Sequence, residues 1–419
     1  MLTKKILFIL ISIINSSSYK RLLDIIVSLH PSNDIKLSLN KLSQKIGIIG
    51  GGQLGKMLCQ AGSKLGLDIS VMDKDLTFPS AQICRNFVSG DINNYDDVLQ
   101  FGLDKDVITI EIENINVSAL EDLEKMGKLV YPKPSSLRII RDKGLQKEFY
   151  LESGFPSSTF SLHKSKSETL QAVSDGNLAI PFVQKLRSDG YDGKGVHIVR
   201  SEIDLDQLMD GTTLIEEIVD IDKEIAVIVA RNPSGDLRTF PVVEMHFHPT
   251  ANLVEYLFCP STISSELEVK ADKIAKKIAV KLDIVGLLAV EMFVTKNGDL
   301  LVNEVAPRPH NSGHHTIEAC VTSQYEMHLR AILGLPLGDT SLFRPAVMVN
   351  LLGEKGFSGP VNYEGIEDCL EIEGVYPHLY GKKETKPFRK MGHVTILDET
   401  LEKAIEKAKF VQNTLKVIS

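Results

Sequence analysis

Basic charge is scarce in this sequence. Across 419 residues, 47 Lys and Arg face 55 Asp and Glu, a formal net charge of −8. That argues against a general nucleic-acid binder, because a phosphate backbone demands a basic surface. It leaves room for a small anionic ligand held by a local basic cluster. Cysteine is scarce too. Cys59, Cys84, Cys259, Cys320 and Cys369 are scattered, with no CxxC pair, which speaks against a zinc site or a disulfide framework and for a reducing compartment. No apolar run reaches the ~18 residues that cross a bilayer. There is no internal repeat and no low-complexity tract. What remains is ordinary for a globular chain: 43% hydrophobic and 24% charged residues, at a length that fits about two to four domains.

Residues 1–44 differ from the rest. They hold six Lys or Arg (Lys4, Lys5, Lys20, Arg21, Lys36, Lys41) and two acids (Asp24, Asp34), a net of +4, which leaves −12 for the remainder. Lys4-Lys5, the apolar run 6–14 and Asn15-Ser16-Ser17-Ser18 follow the order of a secretory signal: basic start, short apolar core, small residues. A mis-called start or a disordered extension fits the same stretch. Cysteine usage favours that second reading and a cytoplasmic protein, and a mature chain beginning near residue 45 fits both.

From residue 45 the pattern alternates. A short apolar strand at 45–50 runs into a glycine-rich turn and a helical stretch at 53–65. Residues 67–72 read as a second strand ending at Asp73, and 107–112 as a third. Helical periodicity returns at 145–152. Alternating strands and helices predict a parallel α/β sheet. The middle is β-rich, at 182–186, 213–218, 224–230 and 239–245, with turns such as Asn232-Pro233-Ser234-Gly235-Asp236. A Lys- and Ala-rich helix at 269–282 precedes a hairpin, 287–295 and 300–305, about Asn297-Gly298. One helix is expected at 316–333. From about Pro345 strands mix with a basic turn. The expectation is an α/β domain, an α+β centre and a small C-terminal domain.

Gly50-Gly51-Gly52-Gln53-Leu54-Gly55 satisfies GxGxxG between a strand and a helix. Asp73 stands at the distance of an acid that binds a ribose hydroxyl, so the dinucleotide pattern is present in its required context. Backbone amides at a helix N-terminus form an anion site whichever molecule owns the phosphate. A tight turn for close helix–strand packing needs the same glycines. All three readings are open at this point.

With Asn297-Gly298 as a two-residue turn, Lys296 faces Asp299 and Glu291 falls opposite Glu304, on one face, with Cα atoms ~4.5–5.5 Å apart. Their flanks are apolar, and two like charges there repel by roughly 4 kcal/mol at an effective dielectric of about 20. A hard cation with oxygen ligands relieves this, and Mg²⁺ is usual where phosphates also bind. One protonated glutamate, or pairing with Arg308, relieves it as well.

Ser188-Asp189-Gly190-Tyr191-Asp192-Gly193-Lys194-Gly195 lies between strands. It reads as a flap over phosphates or as a plain hairpin turn; GxxxxGK[ST] is absent, so it is no P-loop. Lys185, just upstream, offers a point charge for phosphate. Glu216-Glu217-Ile218-Val219 and Glu224 place acids near a strand edge. Arg308-Pro309-His310-Asn311-Ser312-Gly313-His314-His315 is dense in groups that bind anions and move protons, without the helical H-x-x-x-H of a zinc site. Lys382, Lys383, Lys386, Arg389 and Lys390 line one turn, either a solvated turn or a second phosphate clamp.

Taken in order, these residues resemble the ATP-grasp superfamily and, within it, the N5-carboxyaminoimidazole ribonucleotide synthetase family. The resemblance spans about residues 45–400. It rests on GGGQLGKM at 50–57, EIEN at 111–114, GYDGKG at 190–195, VEMFVT at 290–295, NEVAPRPHNSGHHT at 303–316 and FRKMGH at 388–393. It implies an ATP-grasp fold of α/β and α+β class. A Rossmann-like pre-ATP-grasp domain would occupy 45–142, the ATP-grasp domain 143–340 and a small C-terminal domain 341–419, with 1–44 as an extension.

The same resemblance implies the site. Lys143, Lys185, Gly190, Tyr191, Asp192, Gly193, Lys194, Gly195, Glu216, Glu217, Ile218, Val219, Glu224, Asn303 and Glu304 would meet ATP. Glu291 and Glu304 would hold Mg²⁺. Gly52, Gln53 and Leu54 would take the phosphate of 5-aminoimidazole ribonucleotide, with Glu113, Tyr191, Asp192, Lys382, Arg389 and Lys390 around it. Asp192, Arg308, His310 and Lys382 would serve catalysis. The implied reaction is ATP- and bicarbonate-dependent carboxylation of that ribonucleotide through carboxyphosphate, releasing ADP and phosphate. The implied protein is a cytoplasmic homodimer with no nucleic-acid or membrane partner. Two positions depart from the pattern. The wider superfamily often has Glu-x-Asn where Glu304 is followed by Val305-Ala306, and many members have histidine where Phe247 stands, with His246 and His248 as neighbours. The first 44 residues match nothing in the family.

Overall fold

The structure, a computed structural model, describes residues 40–188, 195–247 and 254–419. The leader-like segment, all but its last few residues, falls outside that range. So do Gly190, Tyr191, Asp192, Gly193 and Lys194 of the expected flap, and His248.

The apolar strands of the N-terminal part form one parallel sheet. Its members are β1 (Lys45–Ile49), β2 (Asp68–Asp73), β3 (Asn86–Ser89), β4 (Val107–Ile110) and β5 (Leu129–Tyr131), in the order β3-β2-β1-β4-β5. Helices cover both faces, which is why these strands are apolar almost throughout. Leu54, Met57 and Leu58 of α1 (Gln53–Lys64) pack on Ile46 and Ile48. Val98 and Phe101 of α2 (Tyr95–Gly102), with Leu120 and Leu123 of α3 (Val117–Lys125), pack on Ile49, Ile108 and Ile110. The side chains of Asn94 and Asn116 accept from the first-turn amides of α2 and α3. Helix α4 (Pro134–Arg141) leads directly into α5 (Lys143–Glu152), whose N-cap is Asp142.

The centre holds two antiparallel sheets. A four-stranded one joins β6 (Phe160–His163), β7 (Phe182–Leu186), β8 (Val196–Val199) and β9 (Thr213–Glu217) in the order β6-β9-β7-β8, beside α6 (Lys166–Ser174). The nine-stranded one contains β10 (Ile221–Arg231), β11 (Leu237–Thr239), β12 (Val243–Phe247), β13 (Val254–Cys259), β14 (Gly286–Thr295), β15 (Leu300–Ala306), β16 (Ala346–Leu352), β19 (Val375–Leu379) and β21 (Lys390–Leu397). Ile225, Val227 and Val229 turn one face of β10 to Ala271, Ile274 and Ile278 of α7 (Ser265–Lys281). The alternate residues face the other way. Because β13 pairs with β16, the sheet runs without a break across the expected 340/341 boundary. Two small pairs, β17 (Gly359–Pro360) with β20 (Glu384–Thr385) and β18 (Asn362–Glu364) with β22 (Lys416–Ile418), and α10 (Ile366–Leu370) with α11 (Leu401–Thr414), complete the C-terminal part.

Two expected elements differ. The single helix at 316–333 is two, α8 (Thr316–Ala319) and α9 (Gln324–Ile332). Cys320 leaves the helix to bridge Leu342, and Ser323 caps α9 by accepting from Glu326 N. The strand at 239–245 is the end of β11 and the start of β12. Pro241 lies between them and has no N–H for a ladder.

Candidate active site

The site begins with the hairpin β14–β15. Thr295 N donates to Asp299 O (2.9 Å) and Gly298 N to Thr295 O (2.8 Å), with Gly298 at φ 82°. The loop therefore has three residues, Lys296, Asn297 and Gly298, closed by a left-handed glycine, instead of the expected two. Below it the register is offset by one, Val294 facing Leu300 and Met292 facing Val302. Asn303 then enters β15 as an extra residue, a bulge, and from there Glu291 faces Glu304. Two departures of one residue cancel, so the expected pair forms by a different route. The bulge turns Asn303 and Glu304 to the same cleft: Lys185 Nζ donates to Asn303 Oδ1 (3.2 Å) and Lys143 Nζ to Glu304 Oε2 (2.6 Å).

Glu224 joins the pair. Its neighbour-but-one Ala226 is the partner of Glu291 across β10 and β14, so three carboxylates share this sheet face. Burial, then the charges of Glu304 and Glu224, holds the Glu291 carboxyl well above its ordinary range. The Lys143 ammonium does the opposite to Glu304 and keeps it ionised. Burial also pushes Glu224 up to about 7, with Lys185 pulling it down and Glu304 up. The folded protein thus holds the Glu224 proton more tightly than the unfolded chain does. That contribution to stability is complete below the ordinary glutamate range and is lost as pH rises through about 7. The expected result is a Tm that falls between pH 5 and pH 8 in ligand-free protein, less steeply in Glu224→Gln; equal slopes in the two would refute it.

A second cluster lies beside the first. Glu216, on β9, is 4% exposed. Its Oε2 meets Lys185 Nζ at 2.7 Å and its Oε1 meets Lys147 Nζ at 2.7 Å; Ser158 Oγ donates to Oε1 at 2.6 Å. Burial opposes the charge, but Lys185 and Lys147 overcome it and hold the carboxyl down at about 2. Sequence reasoning missed Lys147. The available signal was its place one helical turn after Lys143 on α5, which puts both ammonium groups on one face. Glu217 is exposed, Ile218 keeps 42% of its surface open, and Val219 is half-buried. The end of β9 is therefore an open apolar ledge beside a buried carboxylate. Gly195, at φ 75°, accepts from Leu186 N at the root of the expected flap.

Arg308 and His310 follow β15 into the same region. Arg308 Nε lies 2.9 Å from Glu113 Oε1, and His310 Nε2 lies 3.5 Å from Glu291 Oε1. His310 Nδ1 accepts from Ser312 N (3.3 Å), while the buried Gln324 side chain accepts from His310 N (2.9 Å) and donates to His310 O (2.8 Å). Gln324 is a second residue that sequence reasoning did not single out. Lys390 adds positive charge that lowers the Glu291 carboxyl, and Lys382 donates to Lys390 O (2.7 Å). Arg389 instead donates to Glu384 O within its own turn (2.7 Å).

The glycine loop departs from expectation. Gly52 N and Gly55 N donate to the two oxygens of Glu111 (2.6 and 2.7 Å), and Gly51 N donates to Asp73 Oδ2 (2.6 Å). The groups held by these three amides are two of the chain's own carboxyls. The glycines are needed because a Cβ at Gly52 would lie 2.4 Å from Glu111 Oε1. Asp73, 5% exposed and bonded to the amides of Gly51 and Lys74, is not presented to a ribose. The dinucleotide reading loses its acid. Of the phosphate contacts expected here, Gly52 has its amide taken, and Leu54 turns its side chain into the core.

His246 does not stand in for a histidine at Phe247. Glu224 pairs with Met245, so His246 points to the opposite face of the sheet. There it stacks on Tyr256, ring centres 4.7 Å apart, and lies 3.5 Å from Glu244. Phe247 packs against Met245, Val254 and Leu257.

Comparison with known proteins shows the family. The family model of the ribonucleotide synthetase preATP-grasp domain matches residues 43–141, that of the ATP-grasp domain 148–325, and that of the phosphoribosylaminoimidazole carboxylase C-terminal domain 346–407. The chain is 38% identical over 368 residues to the N5-carboxyaminoimidazole ribonucleotide synthase of Bacillus subtilis, across 86% of this chain and 93% of that one. It superposes on the crystal structure of the synthetase from Thermotoga maritima with a TM-score of 0.83 at 43% identity, covering 90% and 99% of the two chains. It also superposes on the Aspergillus clavatus enzyme in complex with ADP and 5-aminoimidazole ribonucleotide, with a TM-score of 0.81 at 30% identity and 89% and 98% coverage.

Proposed function

Since this chain belongs to the N5-carboxyaminoimidazole ribonucleotide synthetase family of ATP-grasp ligases, we propose that the cleft between β7–β9 and β14–β15 is where it turns over ATP with bicarbonate as the carboxyl source. The chain is an ATP-dependent carbon–nitrogen ligase that carboxylates 5-aminoimidazole ribonucleotide in purine biosynthesis. The observation that carries the reading of the site is the facing pair Glu291 and Glu304 with Lys143 on one of them.

ATP would lie with its base on the ledge of Ile218 and Val219 beside Glu216, its ribose at Glu224 and its phosphates at Lys143 and Lys185. The residues of the 190–195 loop, Tyr191 and Asp192 among them, would close over it. The donor set fits a hard cation: two carboxylates, one of them pushed toward its protonated form by burial and by its neighbours' charge, which bound positive charge would reverse. Glu291 and Glu304 would hold Mg²⁺, which when bound neutralises charge on the transferring phosphoryl group. An entering polyphosphate gives Lys143 a second anion and frees Glu304 for that task.

A bicarbonate oxygen attacks the γ-phosphorus, the bond to ADP breaks, and carboxyphosphate forms. The exocyclic amine of the ribonucleotide then bonds to the carboxyl carbon, directly or after release of CO₂, and phosphate leaves. Arg308, oriented by Glu113, would hold the carboxylate fragment. His310 or Asp192 would take the amine proton, and a water-excluding site limits loss of the intermediate. With Glu111 and Asp73 on the glycine-loop amides, Lys382, Arg389 and Lys390 are the stronger partners for the ribonucleotide phosphate. We assign the working enzyme to the cytoplasm as a homodimer.

The test is ADP release with ATP, Mg²⁺ and bicarbonate, with and without the ribonucleotide. Release strongly stimulated by the ribonucleotide, with its consumption, is expected. Release indifferent to it would reopen the acceptor, and none under any condition would overturn the reading.

A further inference from the structure

The segment that carries Lys382 is gripped from the N-terminal domain. Lys56, on α1, donates from Nζ to the carbonyls of Leu379 (3.2 Å) and Tyr380 (3.3 Å). Gln82, from the short 3-10 helix Pro79–Gln82, donates from Nε2 to the carbonyl of Gly381 (2.6 Å). Three successive carbonyls are therefore held by two side chains that are far away in sequence. The approach is close: Gly381 adopts φ 81°, and a Cβ there would lie 2.3 Å from Gln82 Oε1.

The next residue is Lys382. Its ammonium lies 5.5 Å from the centre of the Tyr380 ring, within cation–π range, and donates to Lys390 O. That ring is itself pinned. Tyr380 is 2% exposed, with its hydroxyl 3.1 Å from His393 Nδ1. The backbone of the residue that floors Lys382 is thus set by Lys56, and the peptide that precedes Lys382 is set by Gln82. A lysine ammonium on two neutral carbonyls makes no ion pair, and burial lowers its pKa; its three donors act as a geometric clamp.

We propose that Lys56 and Gln82 are positioning residues that hold residues 379–381 so that Lys382 faces the ribonucleotide acceptor. The proposal rests on the reading of Lys382 as a substrate-binding residue. It makes helix α1, which begins at the glycine loop, shape the acceptor site through the C-terminal domain.

The test is steady-state ADP release by the full chain for Lys56→Met, Gln82→Leu, Lys56→Arg and Lys382→Met. Lys56→Met should raise KM for the ribonucleotide about tenfold or more, the scale of lost hydrogen bonds from a charged donor, and Gln82→Leu by about threefold or more, the scale of one neutral bond. KM for ATP and Tm should stay close to wild type. Lys56→Arg, which still donates to two carbonyls, should restore ribonucleotide KM. Adding Lys56→Met to Lys382→Met should raise KM no further, because residues acting through one another are not additive. Unchanged ribonucleotide KM in both clamp variants, or an additive double mutant, would overturn the proposal while Lys382→Met still raised KM. An unchanged KM in Lys382→Met would overturn the substrate-site reading and the proposal with it. Gln82 is exposed, so its variant remains informative even if Lys56→Met fails to fold.

Discussion

Glu304→Ala is expected to form ADP about 10²–10³-fold more slowly than wild type while remaining folded, the scale of removing one preorganised electrostatic contact to a transferring group. The geometry separates the two effects. The Glu304 side chain is enclosed by charged neighbours yet keeps 45% of its surface open to the cleft, so truncation leaves no apolar cavity. Its partner Lys143 is 20% exposed and can turn toward water once unpaired. The cost to stability is therefore small beside the cost to chemistry. Glu304→Gln is the sharper probe, because it keeps the shape and loses the charge. It should fail in ADP formation almost as badly as the alanine variant. Saturating ATP and ribonucleotide, with Tm measured alongside, is the assay. Full ADP formation in either variant would remove Glu304 from the phosphoryl-transfer site.

Glu304 also shows how far the sequence could be read. The hairpin that pairs it with Glu291 was legible in its turn residues and its two apolar runs. The three-residue loop and the bulge at Asn303 were not, since each displaces the register by one and their sum leaves the pattern unchanged. The parallel sheet was legible in its apolar runs and glycine turn. The occupant of that turn was not, because nothing local says that Glu111, 59 residues after Gly52, returns to its amides. The break in the helix at 316–333 comes from a long-range bridge of Cys320 to Leu342, which helical periodicity cannot register. The face of β12 depended on its pairing with β10. Only that pairing settles that Phe247 sits with the apolar cluster and His246 on the far side. Throughout, local propensity carried the elements, and tertiary pairing decided which polar groups meet.

Lys147 had only its helical spacing from Lys143 to mark it, and its replacement is expected to have the largest effect on stability. Lys147→Met should destabilise the protein by about 3 kcal/mol at neutral pH, toward the lower end for breaking a buried ion pair, because Lys185 still holds the other oxygen of Glu216. The methionine fills the space of the lysine stem, so the loss is electrostatic. Glu216 then sits 4% exposed with one cation in place of two. In wild type its carboxyl is held at about 2, below the unfolded-chain value. The stability it contributes is present above the ordinary glutamate range and drains away as pH falls from there toward about 2. The gap between wild type and Lys147→Met should therefore be widest near neutrality and narrow in acid. Urea unfolding at pH 7 and pH 3.5 reads this directly; a gap that stays constant or widens in acid would refute it. Lys147→Met combined with Glu216→Leu should recover part of the lost stability, since the buried carboxylate is gone and the cation left without it, Lys185, is the more exposed of the two at 17%. It should not recover ATP binding if Glu216 and Lys185 meet the nucleotide as proposed. Stability restored without ATP binding would separate the structural work of this buried pair from its part in the site, whereas restored ATP binding would place the nucleotide elsewhere.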